Sequence, residues 1–259
     1  MNSLSDMLWI EMRKALRSRM PLWTALGSLF MPLGIAFLIF VSKNPEISQK
    51  LGLISAKANL IAYSATDWPT YLGLLGQIIA AGGFFIFVLI VSWVFGREFA
   101  DGTLKDMLSV PVQRLSILLA KFILVAVWSA ALSLVICILG LIMGALLKLQ
   151  GGSSGILPQA ATVVLVTAGL VIAVVLPFAL FASAGRGYLL PLAMAVLTLM
   201  VANFAAVVGW GDYFPWTVPG LYAQGKSPLA PASYWIAILT GLLGMLATYL
   251  WWMRADQSR

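Results

Sequence analysis

The chain has 259 residues, 61% of them hydrophobic and 10% charged, with a formal net charge of +7. Soluble domains carry roughly 45–50% apolar and about 25% charged residues, so the composition excludes a soluble fold and points to an integral membrane protein. The basic balance then reads as Lys and Arg gathered beside membrane spans on the cytoplasmic side; no nucleic-acid partner is expected. With no histidine and one cysteine, Cys137, His-based zinc, haem and Ser-His-Asp chemistry is excluded, and no disulfide or metal site is expected.

The lead, 1–19, is polar and mixed in charge, and 6–19 reads as an amphipathic helix. At 100° per residue Arg13, Lys14 and Arg17 share one arc, while Met7, Leu8, Met12, Ala15 and Leu16 fall on the other. Such a helix lies in the headgroup layer with its basic face toward anionic lipid, or serves as a plain anchor. Glu11 breaks the pattern by falling among the apolar positions, which calls for a specific partner.

A hydrocarbon core of roughly 30 Å needs about 20 apolar helical residues. Six runs qualify: 20–42, 69–96, 116–147, 157–184, 188–210 and 232–253. The first is longer than a signal h-region and lacks a small-residue cleavage site, so no cleaved signal peptide is expected. Placing both termini in the cytoplasm puts Arg13, Lys14, Arg17, Arg19, Arg97, Lys105, Arg114, Lys121, Arg186, Arg254 and Arg259 inside. Lys43, Lys50, Lys57, Lys148 and Lys226 remain outside. The bias is clear and makes the loop 97–115 cytoplasmic. The whole of 1–259 reads as one transmembrane domain.

Between two uncharged runs, 97–121 holds Arg97, Glu98, Asp101, Lys105, Asp106, Arg114 and Lys121. Gly102 allows a sharp entry, Thr103-Leu-Lys-Asp106 matches a capping box, and Pro111 discourages continuation beyond Val110. A helix of about two turns is predicted, with Leu104, Met107 and Leu108 on one face. A well-capped solvated loop fits the same residues. Lys121 is expected to snorkel toward the interface.

Polarity inside the spans is sparse. Gln77 and Asn203 each lie roughly 25–30 Å along a helix from its cytoplasmic end, which puts both in the outer half. With Phe84, Phe85 and Phe204 they are candidates to line an amphiphile pathway; a helix–helix hydrogen bond is the plainer role. The outer segment 210–231 mixes aromatics with four prolines and suits a re-entrant or interfacial element, or an ordinary aromatic belt. Within it Gly220-Leu-Tyr-Ala-Gln-Gly225-Lys226-Ser227 formally satisfies a phosphate-binding loop. Its setting among prolines on the outer face, without a strand before it, argues against a nucleotide site.

Glu98, Gly102-Thr103, Lys105, Leu108, Pro111, Arg114 and Lys121 together resemble the cytoplasmic loop of type-2 ABC exporter permeases. Glu11-x-Arg-Lys14, the six-span layout and Tyr213-Phe-Pro-Trp-Thr-Val-Pro219 are similar too, and the branch they look closest to includes bacitracin- and lantibiotic-exporter permeases. The resemblance implies a coupling helix that docks on a separate ATPase subunit, with two permeases, as homodimer or heterodimer, and two ATPases forming the working unit. ATP and Mg would be bound by that partner, with no cofactor in this chain, in the plasma (inner) membrane of a prokaryote. It also implies coupling roles for Glu98, Asp101, Gly102, Thr103, Lys105, Asp106, Pro111 and Arg114, and places the second and fifth spans near the dimer cavity.

The expected fold is therefore all-α: six transmembrane helices, an N-terminal amphipathic interfacial helix, a short cytoplasmic coupling helix and an outer re-entrant or interfacial segment. The leading function is the permease subunit of an ATP-driven exporter of an amphiphile (peptide antibiotic, drug or lipid), without an ATPase site of its own. An ion-coupled secondary transporter is the alternative, weakened by the lack of ionisable groups near any span centre. An intramembrane enzyme lacks histidine and paired intramembrane aspartates.

Overall fold

The computed structural model describes residues 3–44, 67–103, 112–152, 155–225 and 229–254. Helix α1 spans Ser3–Arg17, with Asp6 in its first turn and Lys14 and Arg17 in its last, charges that oppose the helix dipole favourably at both ends. The Ser18 hydroxyl donates to the Ala15 carbonyl at 2.8 Å and accepts from the Met20 N–H at 3.2 Å, turning the chain into α2, Met20–Lys43. Thr24 and Ser28 satisfy their hydroxyls on the carbonyls of Met20 and Thr24, as polar groups must where water is absent.

The second crossing is α3, Trp68–Ile78, a π-helical turn at Ile79–Gly83, and α4, Phe84–Ala100. The third is α5, Arg114–Leu146. The fourth is broken into α6, Ile156–Val175, and α7, Phe178–Ala184, because Pro177 has no N–H for the helical ladder. Then follow α8, Leu189–Val208, a 3₁₀ turn at Gly211–Tyr213, α9, Val218–Gln224, and α10, Pro231–Arg254.

Six stretches are long and apolar enough to cross a membrane: Met20–Val41, Trp68–Ala100, Arg114–Leu146, Ala161–Ala184, Leu189–Val208 and Pro231–Arg254. They coincide with the six runs read from the sequence, and among the described residues no strand forms. The expected coupling helix lies outside the described residues beyond Thr103, and with it Lys105, Asp106 and Pro111.

The second crossing is the centre of the bundle. Phe87, Val91 and Phe95 of α4 are buried in one cluster with Phe122 and Val125 of α5, Val171 and Val175 of α6, and Phe178 of α7. Outward-facing Phe30, Met200 and Val207 are 74%, 65% and 86% exposed, apolar surface of the kind lipid covers.

One end of the bundle collects the basic residues. There Arg114 Nη1 donates to the Trp252 carbonyl at 2.8 Å, and Trp252 Nε1 donates to Ser183 Oγ at 3.0 Å. The Phe99 ring meets those of Trp251 and Trp252 edge-on at 6.0 and 6.1 Å. At the other end Lys43 Nζ donates to the Leu147 carbonyl, and the Trp68 N–H donates to that of Gln150.

Candidate functional site

At the basic end, α1, α4 and α5 meet around four charged side chains. Lys121 of α5 has no exposed surface, and Glu11 and Glu98 are 3% and 4% exposed. Lys121 Nζ lies 3.3 Å from Glu11 Oε2 and sits astride the Glu98 carboxylate, 2.8 Å from Oε1 and 2.7 Å from Oε2. Only the bond to Oε1 is aligned as a hydrogen bond; the Oε2 approach is charge pairing. Its remaining donor reaches the Val94 carbonyl at 2.8 Å. Lys14 closes the ring, 2.8 Å from Glu11 Oε1 and 3.1 Å from Glu98 Oε1. Each lysine thus touches both glutamates, and the quartet is neutral.

Neutrality is what lets Glu11, Glu98 and Lys121 leave water together, with the half-buried Lys14 at their rim. Desolvating an ion costs several kcal/mol, which is offset only when partners and hydrogen bonds are all in place. Burial opposes the charge on Lys14, but the carboxylates of Glu98 and Glu11 outweigh it and raise its pKa above the ordinary value. Its stabilising contribution is therefore complete below the ordinary lysine value of 10.5 and is lost only as pH rises through the raised one.

One expectation is corrected here. Lys121 does not snorkel outward; it turns inward, because Glu98 and Glu11 supply a better partner than the interface. Glu98, expected to take part in coupling, lies buried in the quartet. Glu11 finds the partner its odd position called for. Arg114 also points into the protein, tying the start of α5 to the end of α10. Arg97 instead pairs with Asp101 at 3.2 Å and covers the Trp93 ring at 5.0 Å. Gly102 takes the left-handed backbone suited to a sharp exit, φ 70°, and Thr103 is exposed.

A second feature lies deeper in the bundle. Gln77 and Asn203 line the same open cleft of about 250 Å³, with Ala80, Ala81, Trp216 and Gln224. The π turn brings the small residues Ala80 and Ala81 to its wall. Trp216, which donates Nε1 to the Val174 carbonyl at 2.9 Å, and Gln224 of α9 are members that composition did not single out. The three phenylalanines do not join. Phe84 is a core residue packed edge-on against Phe178 at 5.5 Å, and Phe85 and Phe204 lie outside the lining, Phe204 being 69% exposed.

A family model described as ABC-2 family transporter protein matches residues 7–202, a range that contains the quartet and the cleft amide Gln77. The chain belongs to the ABC-2 transporter family. It is similar to the bacitracin transport permease protein BCRB of Bacillus licheniformis, 27% identical over 174 residues, 66% of this chain and 84% of the relative. The spans and the family together make it a multi-pass ABC-2 permease, a transporter component rather than an enzyme. Of the formal phosphate-loop match, Gly220 to Gln224 lie in α9, and Lys226 and Ser227 lie outside the described residues.

Proposed function

We propose that this ABC-2 permease is the membrane subunit of an ATP-driven exporter, paired with a second permease and two copies of a separate ATPase that binds ATP and Mg. Both termini lie in the cytoplasm of a prokaryote, with the quartet at the inner face. The observation that carries this reading is the quartet itself. It joins α1 to the two helices, α4 and α5, that flank the segment 101–113, where the coupling helix is expected.

A push on that segment moves the three helix ends as one body, because separating a buried ion pair costs several kcal/mol. Motion of α4 then reaches Ala80 and Ala81 through the π turn, an irregularity of the kind often found at functional sites. The cleft they line mixes amide side chains with Trp216 and small apolar residues, a lining suited to an amphiphile. The relative's bacitracin transport makes a peptide antibiotic the first substrate class to test.

The experiment is co-expression with a cognate ABC ATPase, followed by transport and ATP hydrolysis in liposomes. The expected result is a stable complex whose transport requires ATP. Glu98→Gln should preserve assembly while reducing transport per ATP about 10-fold, an uncoupling equivalent to ~1.4 kcal/mol. Gln77→Leu with Asn203→Leu should reduce transport and leave assembly intact. No ATPase binding, or transport that collapses with an uncoupler at constant ATP, would overturn the proposal and favour an ion-coupled transporter.

A further inference from the structure

A third feature adjoins the quartet and shares Lys14 with it. A cleft of about 370 Å³ is lined by Arg13, Lys14 and Arg17 of α1, by Arg97 of α4, and by the apolar walls Trp9 and Ile10. That volume falls within the range of about 300–1,000 Å³ usual for small-ligand sites. Its cations are held in place. The Arg13 guanidinium lies 4.8 Å from the Trp9 ring centre, and that of Arg97 lies 5.0 Å from the Trp93 ring centre. Such stacking orients a guanidinium without neutralising it.

The charge balance is decisive. Glu11 and Glu98 are spent on Lys14 and Lys121, and Asp101 on Arg97. Of the four cations that line the cleft, this leaves Arg13 and Arg17 without a carboxylate among the described residues. Arg97, which also lines the cleft, has its Nη1 buried without an acceptor, and a buried donor of this kind is rarely left unmet in a native protein. The cleft therefore asks for an anion with several oxygen acceptors.

Its position says which anion. Ser18, also in the lining, joins α1 to the start of one candidate span, and Arg97 stands near the end of another. The cleft is thus level with the headgroup layer. Trp9 and Ile10 are 60% and 39% exposed beside it, an apolar wall that suits glycerol and acyl groups and has no use for a free ion. We propose that this cleft binds the phosphate of an anionic phospholipid headgroup, clamping α1 to the inner leaflet next to the quartet. The site needs no ATPase, so it stands or falls independently of the exporter reading.

The test is a thermal-shift titration of the purified permease in detergent. The probes are phosphatidylglycerol, phosphatidylcholine and inorganic phosphate. Saturable stabilisation by phosphatidylglycerol alone is expected. At about fivefold in affinity for each basic charge near a membrane surface, Arg13→Gln with Arg17→Gln should weaken it roughly 25-fold. Arg17→Gln alone, expected to weaken it about fivefold, serves if the double variant does not fold. Arg19→Gln, exposed and outside the cleft, should leave the titration unchanged.

Equal stabilisation by phosphatidylcholine, or an equal loss in Arg19→Gln, would overturn the site. Full stabilisation by inorganic phosphate would overturn the lipid assignment in favour of a free anion. A double variant that loses ATPase co-purification but keeps its lipid response would overturn it in favour of a protein partner.

Discussion

A lysine with no exposed surface in an apolar helix survives only because of what surrounds it. Lys121 is enclosed by two carboxylates and a carbonyl, and its removal would leave Glu11 and Glu98 sharing a site with Lys14 as their one remaining cation. Lys121→Met should therefore destabilise the permease by about 3–5 kcal/mol, read from denaturant or thermal unfolding in mild detergent. Glu98→Gln combined with Lys121→Met should cost clearly less than the two single losses added together; simple additivity would show that the pair does not interact. The sequence marked half of this site. Glu11 was conspicuous because a charge on an apolar arc violates helical periodicity. Lys121 was not, because a lysine seven residues into a helix can equally reach back to water, and the choice depends on a residue 23 positions away on another helix.

At the scale of elements, α10 shows how closely two helices can be required to pass. A Cβ at Gly241 would lie 2.6 Å from the Ala173 carbonyl oxygen, and one at Gly244 would lie 2.5 Å from Pro177 Cα. Both obstacles are backbone atoms, one in the last turn of α6 and one at the break before α7, so neither can swing aside. Gly241→Val or Gly244→Val should cost about 1–3 kcal/mol or more, seen as a loss of monodisperse folded protein on size exclusion. Gly34→Ala, with nothing within 4 Å of its added carbon, should be tolerated or slightly stabilising, since alanine favours a helix by up to about 1 kcal/mol over glycine. The existence and approximate limits of all six crossings were legible from runs of apolar residues. The interruption at Pro177 and the π turn at Ile79–Gly83 were not. Hydropathy is unchanged across both, and neighbouring helices re-satisfy and fill such irregularities.

Across the whole molecule, the ends of α4 and α10 and the starts of α2 and α5 share one pole with α1, and Lys43 shares the other with Leu147 and Gln150. On the proposed topology the first pole faces the cytoplasm, as its basic residues favour. On a Cys137→Ala background, which removes the one native thiol, Asn44→Cys should react with a membrane-impermeant maleimide in intact cells. Arg254→Cys should react only after permeabilisation; the reverse pattern would invert the topology.

The amino-acid sequence by itself determined the class, the number of crossings and the charge asymmetry, because these follow from local composition and the thickness of a bilayer. It also marked Gln77 and Asn203, since amides are costly in hydrocarbon wherever they stand. Only the tertiary structure decided that those two amides share one cleft, that three phenylalanines do not, and that Glu11, Lys14, Glu98 and Lys121 form one neutral ring. The reason is physical: whether a charge or an amide in a membrane helix is met by water, lipid or another side chain depends on which helix faces lie together, and no single helix contains that information.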